Sequence, residues 1–281
     1  MTEGSPGRVA ILTGAIGTVP DPGGVAAAVE ASVAHLPTAE RDAAIVSALR
    51  AARPATETWL RGHGASAEQA RDSVADVDRK LDRYGLRGTG LDWFCAVLTA
   101  RVVAVGRLQF EIGVSTADGG PAWGVHVPEA GPLHADACDR SFAEAPGVLR
   151  AVAPGHAAEQ WHCRSWILDP GLPDVLGPDA NLVRFARRFR LEPPGPDDAT
   201  EGDDSVAKFV FGGALPNAEP PGARARAARA AQGSVPRGRL AEAVLARWDA
   251  RGHWTVRTGT APVQDVARKL STRNPGVRSH S

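Results

Sequence analysis

The first third of the chain has the hydrophobic periodicity of helices. Val25, Val29, Val33 and Leu36 recur at steps of three and four residues, a spacing that places them on one helical face. The pattern continues to about residue 106. Residues 25–106 are therefore predicted to form a helical N-terminal domain.

Turn and capping residues divide this helical region. Pro54 is expected to end a helix that begins near residue 38, because proline lacks the N–H that a helix interior needs. Ser66 and Gln69 have the spacing of a capping box, and the helix that they begin is predicted to run to Tyr84 and to stop at Gly85. The apolar run 91–105 reads as another helix or as a crossing from helix to strand.

Strand-like runs alternate with loops and helices in the rest of the chain. The predicted strands are 107–113, 123–127, 159–168, 188–191, 206–211 and 254–258. A loop follows the strand 123–127, and a helix is predicted from His134 to Glu144. A second helix, led by turn residues, is predicted over 177–189. The mixed domain is predicted to cover residues 107–260.

Three segments lie outside these periodic patterns. Residues 1–24 are rich in Gly and Pro and are expected to be a flexible leader. Residues 217–239 form a basic segment of low complexity, expected to be a solvated and partly disordered insertion. The last segment, 261–281, is expected to be a tail.

The overall composition excludes several classes of partner. The 281 residues carry 32 basic and 32 acidic side chains, so net charge gives no reason to expect a nucleic acid or an anionic membrane as partner. The three cysteines do not make a paired disulfide framework, which favours a reducing compartment. No apolar segment reaches the length of a membrane span. The protein is predicted to be cytoplasmic, and the sequence does not indicate an oligomeric state.

Several phrases, taken in order, resemble one branch of the GNAT acyltransferases. They are Gly90-Leu-Asp-Trp-Phe94, Gly106-Arg-Leu-Gln-Phe-Glu111, His126-Val-Pro128, Cys163-Arg-Ser-Trp-Ile-Leu-Asp-Pro170, Asn181-Leu-Val-Arg-Phe185 and Gly252-His-Trp-Thr-Val-Arg257. This branch carries an extra helical N-terminal domain, and the resemblance spans roughly residues 25–259. It implies an α+β or α/β fold in which the helical lobe precedes a mixed, mostly antiparallel sheet flanked by helices.

The resemblance also implies a reaction. An acyl group would move from acyl-coenzyme A (acyl-CoA) to an amine, or a hydroxyl, of a small molecule by direct attack in a ternary complex. An acyl carrier protein as donor remains an alternative. The basic segment 217–239 could then be a docking surface for such a carrier, or for the ribose phosphate of the coenzyme.

Residues for donor binding follow from the same resemblance. A backbone N–H near His126 or Val127 would polarise the thioester carbonyl. The loop after this strand would hold the pyrophosphate with its backbone N–H groups, at the N-terminus of the following helix. The implied donor-binding residues are Val127, Ala130, Gly131, Leu133, His134, Asn181 and Phe185, the last two beside the pantetheine arm.

The chain departs from the family pattern at three points. Its loop lacks the usual spaced glycines, and Glu129 would repel a pyrophosphate if its side chain faced inward. Phe185 stands where many relatives have a Tyr that protonates the leaving thiolate, and a Phe cannot donate a proton. Tyr84 is the only tyrosine, so the usual acid has no obvious replacement.

Three side chains are alternative candidates for the general base. An unperturbed imidazole titrates near neutrality, and His126 lies on the strand that would face the thioester. Its alternative role is that of a strand histidine bonded to a neighbouring carbonyl. Glu111 ends the run 106–111. Burial there could raise its pKa enough for it to act as a base, or the carboxylate could instead form a salt bridge with Arg107. Ser165 lies on the same side of its strand as Cys163, a cysteine without an identifiable activating partner.

Two other kinds of chemistry have weaker support in the sequence. The spacing of His126, His134, Cys138, His162 and Cys163 matches no common zinc pattern, so no metal is predicted. The glycine turn within residues 8–17 resembles a dinucleotide-binding turn, although Pro20 and Pro22 interrupt the helix that should follow. A nicotinamide-dependent oxidoreductase and a non-catalytic GNAT-like binding module remain alternatives to the acyltransferase.

Overall fold

The computed structural model describes residues 5–212, 221–232 and 238–263. The chain divides into two compact units. Of the described residues, the first unit comprises 5–130, 137–161 and 263, and the second comprises 131–136, 162–212, 221–232 and 238–262. No helix in the described ranges is long and apolar enough to cross a membrane.

The N-terminal part of the first unit is helical, as predicted. Its helices are α1 (Ser5–Gly14), α2 (Pro22–Val33), α3 (Thr38–Gly62), α4 (Ala67–Thr89) and α5 (Leu91–Leu98). They enclose one apolar core, in which Val29, Ile45, Leu49 and Phe94 are completely buried. The helical pattern read from Val25 to Val33 is confirmed, because Val25, Val29 and Val33 are the buried residues of α2.

Side-chain caps fix the beginnings of two of these helices. Asp21 accepts a hydrogen bond from the Gly24 N–H at 2.9 Å and begins α2. The predicted capping box is present at the start of α4, where Ser66 and Gln69 bond each other's backbone N–H groups at 3.1 and 2.8 Å. The backbone leaves the helical conformation at Gly85 (φ +70°), but a further turn continues to Thr89.

Two details of the helical region differ from the prediction. Residues 5–14, within the expected leader, form α1, whose Leu12 is completely buried. Pro54 lies inside α3 and does not end it. The loss of one backbone bond at Pro54 is offset by burial on either side, since Ala52, Thr56 and Leu60 are all buried, and the Thr56 hydroxyl donates to the Leu98 carbonyl at 2.6 Å.

Six strands and six further helices follow α5 in the described residues. The strands are β1 (Val102–Val105), β2 (Leu108–Ser115), β3 (Pro121–His126), β4 (Gln160–Ser165), β5 (Arg190–Leu191) and β6 (Arg257–Pro262). The helices are α6 (Ala135–Val152), α7 (Leu172–Leu176), α8 (Asn181–Ala186), α9 (Asp198–Phe211), α10 (Pro221–Gln232) and α11 (Arg239–Asp249), with short 3₁₀ turns at Pro154–His156 and Trp166–Leu168.

The six strands form one open, mixed sheet in the order β1-β2-β3-β4-β6-β5. The pairs β1–β2, β2–β3 and β5–β6 are antiparallel. The fold class is therefore the predicted one, a helical region followed by a mixed sheet flanked by helices.

Aromatic side chains fill the core on one face of β2 and β3 within the first unit. Phe110 packs against Phe142 of α6 and against Trp161, with ring centroids 5.8 and 5.1 Å apart, and Trp123 lies 5.4 Å from Trp161. Because side chains alternate along a strand, the neighbours of Phe110 project from the opposite face. That opposite face carries Glu111.

In the second unit, the predicted strand 206–211 is wrong, because these residues belong to helix α9. The buried residues of α9 are Asp198, Gly202, Asp203, Val206 and Ala207. Two of them are acidic, so the apolar pattern alone did not show the helical face. Asp203 accepts from the Trp248 Nε1–H at 2.7 Å and from the Trp254 backbone N–H at 2.9 Å, which accounts for its burial.

Part of the basic segment is helical. Residues 221–232 form α10, where Arg224 is 4 % exposed and pairs with Asp204 at 2.7 Å, and Arg229 pairs with Asp249. This stretch is therefore helical with one buried arginine, while partial disorder of the segment as a whole stays a prediction. The rest of the segment up to residue 237 and all but the first residues of the predicted tail (264–281) lie outside the described residues.

Candidate active site

The pairing of β2 with β3 brings two of the predicted catalytic residues together. Glu111 lies opposite Gly124, and His126 is two residues further along β3, on the same face of the sheet. A Cβ atom at Gly124 would meet the Glu111 Cβ at 3.0 Å and the Val114 Cγ2 at 3.1 Å. The glycine therefore leaves the space in which the Glu111 side chain reaches diagonally to His126.

Glu111 connects His126 to an arginine that precedes β1. The His126 Nε2 lies 3.0 Å from the Glu111 Oε2, and the Arg101 Nε–H donates to the Glu111 Oε1 at 2.9 Å. Arg101 is held in turn by the carbonyls of Pro20 and Gly113, at 3.1 and 3.0 Å. We call Arg101, Glu111 and His126 the triad.

The electrostatics of the triad define its hydrogen bonds. Burial would raise the pKa of Glu111, but the hydrogen bonds and charges of His126 and Arg101 outweigh burial and lower this pKa below its usual value. Glu111 is therefore a carboxylate near neutral pH and accepts the hydrogen bond from the His126 Nε2–H. In the neutral imidazole, the Nδ1 lone pair is then the basic site.

Glu111 does not take the partner that the sequence suggested. Its salt bridge is with Arg101, whereas the Arg107 side chain donates to the Pro128 carbonyl at 2.9 Å. The Arg107 backbone N–H donates to the Ser141 hydroxyl at 2.8 Å. Arg107 thus holds the beginning of the loop that follows β3.

Helix α5 adds a tryptophan to the site. The Trp93 ring meets the His126 ring edge-on, with centroids 4.9 Å apart and an interplanar angle of 77°. Its Nε1–H donates to the Asp76 Oδ2 at 2.8 Å, and Asp76 is 3.2 Å from Arg79. Trp93 therefore limits the orientation of the imidazole from a side that the sheet does not cover.

Sequence reasoning did not assign a role to Trp93 or Arg101. Both lie in the run 91–105, where the sequence offers an apolar pattern and, at residues 90–94, a phrase that resembles the acyltransferases. A charged side chain within this apolar run is the signal for Arg101. It could not show which carboxylate Arg101 would reach, because that depends on the register of β1 with β2.

The loop between β3 and α6 contains the predicted phosphate-binding residues. Ala130, Gly131 and His134 are exposed, Leu133 is buried, and Gly131 adopts φ +77°, a conformation that favours glycine. The 18-residue helix α6 begins directly after the loop, at Ala135. Its first N–H groups and its dipole suit an anion.

Side chains of α4 compensate the charge of Glu129. The Glu129 carboxylate lies 4.0 Å from the Lys80 Nζ and 3.5 Å from the Arg83 Nε. Burial, together with the hydrogen bond and charge of Glu129, raises the pKa of Tyr84 to about 12. The expected repulsion of a pyrophosphate is therefore reduced, and Tyr84 remains protonated at neutral pH.

The other predicted site residues lie in the second unit. The Ser165 hydroxyl accepts from the Ile167 N–H at 3.2 Å and caps the 3₁₀ turn that follows β4. Burial raises the pKa of Cys163 to about 12, so this thiol is not a nucleophile at neutral pH. Asn181 begins α8, and Phe185 is 1 % exposed, with its ring 5.5 Å from that of Phe189.

No cluster of three or more metal-ligating side chains occurs among residues 5–212, 221–232 and 238–263. His126, His134, Cys138, His162 and Cys163 do not form such a cluster. Acid–base chemistry through the triad is what the described side chains offer.

Comparison with known proteins agrees with this architecture. The sequence model of the GNAT-like C-terminal domain family matches residues 102–260. A comparison with curated protein sequences finds no significant match. Solved structures of acyltransferases do match at 26–28 % identity.

Three of these structures bear on the site. An acyltransferase in complex with CoA and 10C-teicoplanin is 28 % identical, with a TM-score of 0.65, over 80 % of this chain and 68 % of its own. An acyltransferase with decanoyl-CoA and teicoplanin is 27 % identical, with a TM-score of 0.66, over 85 % of this chain and 76 % of its own. A mutant acyltransferase with octanoyl-CoA is 28 % identical, with a TM-score of 0.65 and the same coverage as the first. The family model matches more than half of the residues of this chain. The chain therefore belongs to the proteins with a GNAT-like C-terminal domain, and it is an acyltransferase.

Proposed function

We propose that this acyltransferase moves an acyl group from acyl-CoA to an amine, or a hydroxyl, of a small molecule. The observation that carries the proposal is the triad, in which an ionised glutamate orients a half-buried histidine on a strand of the GNAT-like domain. Acyl transfer from a thioester needs a base for the nucleophile, and the triad provides one.

The triad suits direct attack within a ternary complex. The His126 Nδ1 removes the proton from the attacking nitrogen or oxygen while the new bond to the acyl carbon forms. The C–S bond then breaks, and the proton on His126 can pass to the leaving thiolate, so that CoA departs as a thiol. Glu111 stabilises the imidazolium that exists between these proton transfers, and Arg101 keeps Glu111 ionised.

We assign the thioester and the pyrophosphate of the donor to the loop after β3, and the family resemblance separately assigns two residues of α8 to the pantetheine arm. Backbone N–H groups of Val127, Ala130, Gly131, Leu133 and His134 would polarise the thioester and hold the pyrophosphate. Asn181 and Phe185 would line the pantetheine arm. The compensation of Glu129 by Lys80 and Arg83 supports this assignment, because it removes an obstacle to anion binding at the loop.

The neighbouring structures suggest the size of both substrates. One contains octanoyl-CoA, a second contains decanoyl-CoA with teicoplanin, and a third contains CoA with 10C-teicoplanin. We therefore propose a medium-chain acyl donor and a small-molecule acceptor for this chain. An acyl carrier protein as donor and a non-catalytic binding module are the two alternatives.

The test offers the protein a series of acyl-CoA thioesters, with acyl chains of two to fourteen carbons, together with a panel of amines. Transfer is measured as release of free thiol, and the products are identified by mass spectrometry. We expect transfer with medium chains, and a loss of about a hundredfold or more in kcat for His126→Ala. His63→Ala is the matched control, because His63 stacks on Trp59 in the helical region and not in the triad.

The outcomes separate the alternatives. If transfer occurs only from an acylated carrier protein, that protein and not acyl-CoA is the donor. Binding of acyl-CoA without transfer to any acceptor would favour the non-catalytic module. Full activity of His126→Ala would refute the proposed base. We further propose that the reaction takes place in the cytoplasm, since Cys95, Cys138 and Cys163 are buried and not joined in a disulfide, which fits a reducing compartment.

A further inference from the structure

Gln109 lies beside the proposed base but takes no part in the triad. It is directly opposite His126 in the β2–β3 ladder and two residues before Glu111, so the three side chains share one face of the sheet. Residues opposite each other in an antiparallel pair have Cβ atoms roughly 5 Å apart. The Gln109 carboxamide is therefore within reach of the group that approaches His126.

The carboxamide of Gln109 has an unused donor. The residue is 1 % exposed, and its Nε2 is buried without a hydrogen-bond partner. A buried amide donor without a partner destabilises a folded protein, so such groups are rare unless they serve another purpose. Replacement by an apolar residue of similar size would remove this cost.

The polar groups around Gln109 are already engaged. Ala104, its neighbour on β1, donates its N–H to the Ser73 hydroxyl at 2.8 Å, and that hydroxyl donates to the Gln69 carbonyl at 2.7 Å. Both carboxylate oxygens of Glu111 accept hydrogen bonds from the other members of the triad. The fold thus leaves a buried N–H donor on Gln109, the residue that lies directly opposite His126 in the β2–β3 ladder.

We propose that Gln109 is a further substrate-binding residue, whose Nε2–H donates a hydrogen bond to an oxygen of the substrate that reaches His126. The inference rests on the proposed function. That oxygen belongs either to the thioester or pantetheine of the donor or to the acceptor next to its nucleophilic group. The side chain has three rotatable torsions and can turn towards the imidazole without a change in the strand.

The test compares Gln109→Met with the wild-type chain. Methionine has a similar volume and no N–H, so we expect an unchanged or higher Tm together with about a tenfold lower kcat/KM. The pH profile of kcat should keep its shape, because Gln109 holds the substrate and does not transfer a proton. Ile112→Met is the matched control, a buried position of the same strand that faces away from the triad.

Separate measurements identify the oxygen. A weaker Kd for acyl-CoA, measured by calorimetry without acceptor, assigns the hydrogen bond to the donor. An unchanged Kd with a higher KM for the acceptor assigns it to the acceptor. If Gln109→Met does not fold, Gln109→Leu is measured in the same way.

Three results would overturn the proposal. If kcat/KM stays within twofold of wild type while Tm rises, the unpaired Nε2–H of Gln109 lowers stability and does not bind the substrate. If Ile112→Met loses as much activity as Gln109→Met, the effect comes from packing of the strand. An inactive wild-type chain overturns the proposed function as well, whereas an active wild type with an equally active Gln109→Met overturns this inference alone.

Discussion

Replacement of Glu111 by glutamine tests whether the triad works as a catalytic unit. Glu111→Gln keeps the shape of the side chain but removes its negative charge. The amide can still contact Arg101 and His126, yet it can present its NH₂ group as readily as its oxygen. We therefore expect the imidazole to lose both its fixed orientation and the charge that stabilises its protonated form.

The geometry gives the size of the effect. Two unit charges 3.0 Å apart interact by about 5 kcal/mol at an effective dielectric constant near 20, which is an upper bound for the pair. Hydrogen bonds to charged groups contribute a net of about 1.5–3 kcal/mol. Because about 1.4 kcal/mol corresponds to a factor of ten, kcat should fall by roughly 10- to 100-fold.

Steady-state kinetics over pH provides the assay. The loss should be in kcat, with the KM of acyl-CoA within about twofold of wild type, because Glu111 is assigned to the base and not to the donor. The free energy of unfolding gives a second readout. The folded-state pKa of Glu111 is lowered, so its contribution to stability is present above the ordinary pKa near 4.5 and is lost as the pH falls through the lowered value.

Two results would refute this reasoning. A Glu111→Gln variant with wild-type kcat would show that His126 needs no carboxylate, or that another residue is the base. A stability difference between the wild type and the variant that persists at acidic pH, where Glu111 is protonated, would show that packing and not charge explains the effect.

Three other substitutions separate the parts of the site. Gly124→Ala should lower kcat by about tenfold with a small change in Tm, because its Cβ would displace Glu111; wild-type kcat would contradict this. Ser165→Ala should keep kcat and lose about 0.5–2 kcal/mol of stability in urea unfolding, since its hydroxyl caps a turn; a lost activity would return Ser165 to the catalytic candidates. Trp93→Phe should cost about 1–3 kcal/mol, because Asp76 is 2 % exposed and loses a donor; unchanged unfolding would show that the Asp76 bond is not stabilising.

The fold was predictable where local rules decided it. The capping box at Ser66 and the apolar face of α2 are short-range features, and both are present. The errors occurred where tertiary contacts override local preference. Pro54 is held inside a helix by burial on both sides, and α9 buries Asp203, whose distant partners Trp248 and Trp254 make that burial favourable.

The candidate site was predictable in its chemistry and less in its geometry. His126 and Glu111 were identified as separate alternatives, because the sequence does not contain the register that joins them. Gly124 and the irregularity between Glu111 and Val114 set that register, and neither has a signal of its own in a single sequence. Arg101 was missed for the same reason.

The helices of the first unit contribute directly to the site, beyond packing. Trp93 of α5 orients the imidazole, and Lys80 and Arg83 of α4 compensate the charge of Glu129 in the loop after β3. The Ser73 hydroxyl, also on α4, accepts the Ala104 N–H of the edge strand β1, next to Gln109. A GNAT-like domain without these helices would leave the imidazole unsupported on one side and the loop charge uncompensated. The helical region is therefore part of the catalytic apparatus that we propose, and substitutions on α4 and α5 should affect kcat as well as stability.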